Sequence, residues 1–223
     1  MRKERIWELD TVRGLCILGM IGVHLVYDLQ LSVGPVFAFV QNWGGVLFFL
    51  LSGLCVTLGS RPGKRGAVVL CAGFLCTAVT WVMGMLSRLP ENMVIRFGVL
   101  HCLGLCMLLW PVFRKLPVWL LAVLGAALAA LGIWLTEWVS VDVSGFAWLG
   151  LRYPGYSSGD YFPLLPYLGF FLLGAALGRV LYREKKSILP PVGNFLLFRA
   201  LQWCGRHSLI LYLLHQPVLM LFL

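Results

Sequence analysis

Residues 11–30 read Thr-Val-Arg-Gly-Leu-Cys-Ile-Leu-Gly-Met-Ile-Gly-Val-His-Leu-Val-Tyr-Asp-Leu-Gln. About 20 predominantly apolar residues cross the hydrocarbon core of a bilayer as a helix, so this run predicts a transmembrane span that carries Arg13, His24 and Asp28. The same reading along the chain predicts seven spans, at 11–30, 36–58, 67–87, 93–112, 116–137, 161–182 and 205–222. The composition agrees: 223 residues are 60% hydrophobic and 12% charged, with mean hydropathy +0.88, where a soluble domain is about 25% charged. The expected fold is an all-α polytopic helix bundle, one domain over 1–223 with no sizeable soluble part, in the cell membrane.

A net charge of +9 can signal a nucleic-acid partner, but the basic residues here form short clusters between apolar runs. Nucleic acid is therefore set aside. Arg2, Lys3 and Arg5, the loop with Arg61, Lys64 and Arg65, the pair Arg114 and Lys115, and the stretch from Arg179 to Arg206 hold fourteen of the 18 basic residues. The alternate loops hold only Arg88 and Arg152, beside Glu91, Glu137, Asp142 and Asp160. The positive-inside bias then puts the N-terminus in the cytoplasm and, with seven spans, the C-terminus outside. A basic start before an apolar run also suits a signal peptide, but no small-residue cleavage site follows, and the run is read as a retained first span.

Six of the seven cysteines lie in apolar runs, which argues against a disulfide framework. Cys102 and Cys106 beside His101 form the one cluster that suggests a metal; with Glu91 the only nearby carboxylate, they read as small helix fillers and no metal is expected. Gly174-Ala-Ala-Leu-Gly178 and the alanine-rich stretch from Gly125 to Gly132 predict tight helix contacts. Packing within one bundle is the simpler reading, and a homodimer seam the other. The two halves show no repeat of the inverted-transporter kind. Residues 140–160, rich in Gly, Ser and Pro, form the longest outside loop.

Ionisable groups inside spans are costly and mark interior or aqueous sites. Arg13 and His24, eleven residues apart, fall within ~20° of one helix face and ~16 Å apart along the axis. Asp28 follows His24 at i+4, where a carboxylate can hold an imidazole tautomer. His101 lies ~12 Å below the outer surface and His215 ~15 Å up from the inner one, so the three histidines predict one cavity near the midplane. Ser208, Tyr212 and His215 share a face just before Pro217. Asn42 opens the second span as a polar group able to hydrogen-bond into that cavity, and Asp160 is positioned to cap a sixth span kinked by Pro163 and Pro166.

Leu9-Asp10-Thr11-Val12-Arg13-Gly14, then His24 after ten residues from Arg13, resembles the opening of the transmembrane acyltransferase superfamily. Three further stretches are similar to bacterial relatives of the heparan-alpha-glucosaminide N-acetyltransferase catalytic domain: Phe97 to Leu105, Asp160 to Gly169, and Gly205 to Pro217. The resemblance implies that acetyl is taken from cytoplasmic acetyl-CoA and passed to an acceptor on the far side, a glycan or other hydroxyl or amine. On that reading Arg13 pairs with CoA phosphates, with Arg65 adding a contact at the cytoplasmic mouth. His24, oriented by Asp28, is the general base; Asn42 or His101 stabilises the oxyanion; and Asp160, Tyr212 and His215 complete the oxyanion and acceptor side. The animal lysosomal enzyme carries its important histidine in the outer loop after the first span, whereas residues 31–41 here contain none. Direct transfer is therefore favoured over a covalent acetyl-histidine.

Two other readings use the same residues. A transporter or flippase for a small anionic or lipid-linked molecule makes the histidines proton carriers and Arg13 or Arg96 an anion contact. A structural subunit makes them helix glue, so that mutating Arg13 or His24 impairs expression rather than turnover.

Overall fold

A computed structural model describes residues 5–31, 34–86, 88–142, 145–190 and 195–222. Among the described residues the regular elements are helical: α1 (Trp7–Asp28), α2 (Pro35–Val56), α3 (Pro62–Met85), α4 (Val99–Phe113), α5 (Val118–Trp138), α6 (Leu164–Leu181), α7 (Leu196–Arg206) and α8 (Ser208–Phe222). The helices α1, α2, α3, α5 and α6 are long and apolar enough to cross a membrane, while α4 and α8 are shorter apolar helices. Each of the seven predicted spans thus corresponds to an apolar helix. Large apolar side chains on their outer faces, such as Val36 at 76% exposed and Trp119 at 67%, suit hydrocarbon rather than water.

α7 falls in the stretch read as a charged connection. Its apolar residues alternate with Arg199, Gln202 and Arg206, so a hydropathy window passes over it although its pattern is amphipathic. α4 starts at Val99, six residues later than predicted from 93, because the preceding segment is pinned in extended form by the Phe97 to Tyr161 bridge.

The chain divides into two compact units, Met1–Leu51 with Val180–Leu223, and Ser52–Arg179. In the first, α7 crosses the start of α1 at glycines: a Cβ on Gly14 would strike the Leu201 carbonyl, and one on Gly205 the Asp10 carbonyl. Farther along, His24 meets His215 and Asp28 meets Gln216. Pairs that advance together in both helices mean that α8 runs parallel to α1. Parallel spans start on the same side of a membrane and so are separated by an even number of crossings, which agrees with the six that the sevenfold reading places between their starts.

In the second unit, α3 and α4 pack antiparallel through Gly73 against His101 and Gly104 against Leu70. α5 and α6 do the same through Gly125 at Leu173, Gly169 at Ala129 and Gly132 at Pro166. The small residues expected to tighten helix contacts therefore do so within the chain, and Gly178 packs on Leu54. The break expected from Pro163 and Pro166 is present, with Leu165 outside helical geometry at φ −104°, ψ 126°.

Candidate active site

At the start of α1 the carboxylate of Glu8, 7% exposed, accepts hydrogen bonds from Ser187 Oγ at 2.6 Å, Ile188 N at 2.9 Å and Tyr182 Oη at 3.4 Å. Three donors compensate a charge that burial alone would penalise, and they fasten the 182–190 segment to the helix. Two residues on, Asp10 lies 3.9 Å from both Arg5 and Arg13. The Arg13 side chain keeps 26% exposure, so its guanidinium is ordered by Asp10 yet accessible to an anion.

α1 runs without interruption from Arg13 to His24, which realises the ~16 Å spacing expected of eleven helical residues. The His24 ring is 4.8 Å, centroid to centroid, from that of His215 on α8. His215 in turn lies 5.5 Å from the Tyr212 ring, and its Nδ1 donates to the Tyr212 carbonyl. A carbonyl can only accept, so the neutral ring carries its proton on Nδ1 and has Nε2 as its basic nitrogen. Two of the three histidines placed at similar depth by sequence therefore meet. Asp28 remains close enough to His24 to act on it electrostatically, while its Oδ2 accepts a hydrogen bond from Gln216 Nε2 at 3.1 Å. It thereby holds α8 against α1 beside the two rings. Asn42 belongs to the same unit and is exposed on α2.

The remaining candidates lie in the second unit. His101 is 2% exposed: Nδ1 accepts from Gly98 N at 3.2 Å, Nε2 faces Thr77 Oγ1 at 3.2 Å, and Phe97 and Phe74 flank the ring. With Nδ1 accepting, the proton of a neutral ring sits on Nε2 and is given to Thr77. This arrangement positions α4 and engages the nitrogen that an oxyanion would need. Asp160 also serves α4: its Oδ2 accepts from Val99 N at 2.9 Å, at the start of that helix. A Cβ at 98 would displace the Asp160 carboxylate from this position. Arg65 is exposed in the first turn of α3, its guanidinium beside Gly59.

The 140–160 loop is organised by aromatic contacts. Tyr153, Tyr156 and Tyr161 form a chain of edge-on rings, and Arg96 donates to Tyr153 Oη at 3.2 Å. A cavity of about 270 Å³ opens there between Trp138, Arg152, Tyr153 and Tyr156. Burial pushes the Tyr156 phenol above its ordinary value, so it stays protonated.

Sequence reasoning passed over Glu8 and Gln216. Glu8 carried a signal, an acidic residue in the first turn of a helix otherwise bounded by basic groups; Gln216 carried only adjacency to His215. Among the described residues no group of three His, Cys, Asp or Glu is close enough to hold a metal ion.

No curated protein and no solved structure matches the chain. The family model of the heparan-alpha-glucosaminide N-acetyltransferase catalytic domain matches residues 5–217, which takes in α1 with Arg13 and His24 and α8 as far as Pro217, including His215. The chain belongs to that family, as a polytopic membrane protein with an acyltransferase catalytic domain.

Proposed function

We propose that this protein takes acetyl from cytoplasmic acetyl-CoA and transfers it across the cell membrane to a hydroxyl or amine on an extracytoplasmic sugar or similar small acceptor. The observation that carries the reading is the pairing of His24 with His215 at 4.8 Å, on the same continuous helix that presents Arg13 about three turns earlier. Arg13 is a fixed, permanently charged fork suited to a CoA phosphate. An extended pantetheine arm spans the distance from there to His24.

In this scheme His24 accepts the proton of the acceptor hydroxyl or amine as that atom attacks the thioester carbonyl. The carbon–sulfur bond breaks, the CoA thiolate leaves, and the proton returns to it, so that acetylated acceptor and CoA are the products. His215, with Nε2 as its basic nitrogen, faces the same space and can relay that proton. Asp28 and Gln216 hold the two rings together. Asn42 supplies the oxyanion contact from the same unit, and Tyr212 lies beside His215 on α8.

Sealed vesicles of known orientation test the direction of transfer. Labelled acetyl-CoA added outside should yield labelled acceptor only in inverted vesicles, where the cytoplasmic face is exposed. Transfer in right-side-out vesicles, or movement of a solute with no acetyl-CoA consumed, would reject the proposal.

A further inference from the structure

α7 divides its surface three ways. Leu201 and Gly205 are buried against α1, with Phe198 edge-on to Trp7. Away from that contact lie Leu196, 80% exposed, and Trp203, 50% exposed. Between the two faces, Arg199 and Arg206 are both exposed; seven residues apart, they fall within ~20° of each other and ~10 Å along the axis. Trp203 sits between them in sequence, within ~60° of both. The outer side of the helix presents an open surface groove lined by Leu196, Arg199, Ala200, Gln202, Trp203 and Arg206.

The ligand that satisfies these walls must be negatively charged and carry hydrocarbon. A soluble phosphate compound would answer the arginines and leave Leu196 and Trp203 in water. A zwitterionic lipid would cover the apolar edge and bring its own cation to Arg199 and Arg206. Asp10 interacts with Arg13, Arg5 and, more weakly, Arg206; Glu8 is occupied by Ser187, Ile188 and Tyr182. An amphipathic helix with an exposed apolar edge, an adjacent basic edge and a tryptophan at their boundary lies in the plane of a membrane interface. We propose that the α7 groove is a binding site for an anionic phospholipid, whose phosphodiester pairs with Arg199 and Arg206 while its acyl chains run along Leu196 and the Trp203 indole. The proposal does not rest on the acyl-transfer reading.

The test is native mass spectrometry of the detergent-purified, delipidated chain titrated with phosphatidylglycerol or phosphatidylcholine of identical acyl composition. Phosphatidylglycerol is retained preferentially, and the double variant Arg199→Gln, Arg206→Gln lowers its retention about thirty-fold, at roughly fivefold per basic residue near an anionic surface. Arg199→Lys with Arg206→Lys keeps the preference, which separates lost charge from lost folding. Lys185→Gln with Lys186→Gln, two nearby charges outside the groove, also keeps it. Equal retention of the two lipids overturns the proposal, as does an unaffected Arg-to-Gln variant, or an equal loss in the lysine variant. Displacement of phosphatidylglycerol by equimolar CoA overturns it in favour of a soluble phosphate ligand.

Discussion

His24 on α1 and His215 on α8 stand with their rings 4.8 Å apart at a 55° tilt, although 191 positions separate them in the chain. The contact exists because α8 runs parallel to α1 and is pinned one turn farther on, where Gln216 donates to Asp28. A side chain with a basic nitrogen is thus delivered to the same place from both ends of the sequence.

Removal of the first base should abolish most turnover. His24→Ala is expected to lower acetyl transfer by ~10²–10⁴, the usual span of general-base catalysis, with the elution profile and thermal stability of the protein unchanged. His215→Gln, which keeps a polar side chain but loses the relay nitrogen, should lower it less. Equal activity in wild type and His24→Ala would remove the base assignment.

The Asp28 contact predicts a positioning effect. Asp28→Ala deprives Gln216 of its acceptor and loosens α8 against α1, so turnover should fall while acetyl-CoA affinity stays within about twofold. Asp28→Asn, which retains an oxygen to accept the Gln216 proton, should restore most of the loss. A drop in affinity with turnover intact would place Asp28 elsewhere in the reaction.

Glu8 makes a prediction about stability. Glu8→Ala leaves Ile188 N without its acceptor and Ser187 Oγ with only the Leu189 carbonyl, at a cost of about 0.5–1.5 kcal/mol per lost hydrogen bond. The 182–190 segment should release first, so trypsin should cut after Lys185 and Lys186 faster than in wild type. Unchanged cleavage would show that other contacts hold the segment.

Close packing predicts a steric threshold. Gly205→Val must push α7 away from the Asp10 carbonyl, and overpacking of this kind costs ~1–3 kcal/mol. Thermal unfolding in detergent should report it as a lower midpoint. The same substitution at Gly22, where a Cβ meets nothing within 4 Å, is the control and should shift it far less.

The seven apolar runs were legible in the sequence because hydropathy is set by composition over a window, and a helix in lipid has no alternative means of satisfying its backbone. Arg13 and His24 on one face were legible because helical geometry fixes residues eleven apart. Which helices meet was not: the contact of His24 with His215 depends on Gly14, Gly205 and Leu201 letting α7 cross α1 closely, a long-range fit that no local spacing encodes. The same limit explains Asp160. Local spacing suggested a cap for the nearby α6, and could not show that the chain also brings Asp160 to Val99 on α4, sixty-one residues back. α7 escaped notice for the opposite reason, since its arginines dilute the apolar signal that marks every other helix.

The most direct test of the central claim, that one helix holds both ends of the donor, is to measure acetyl-CoA affinity and slow acetyl-CoA hydrolysis side by side in purified wild type, Arg13→Ala and His24→Ala. Loss of a charge-assisted contact should weaken affinity in Arg13→Ala by about 10- to 100-fold, while His24→Ala should bind as wild type does and hydrolyse far more slowly. Affinity untouched by Arg13→Ala, or hydrolysis untouched by His24→Ala, would contradict the account.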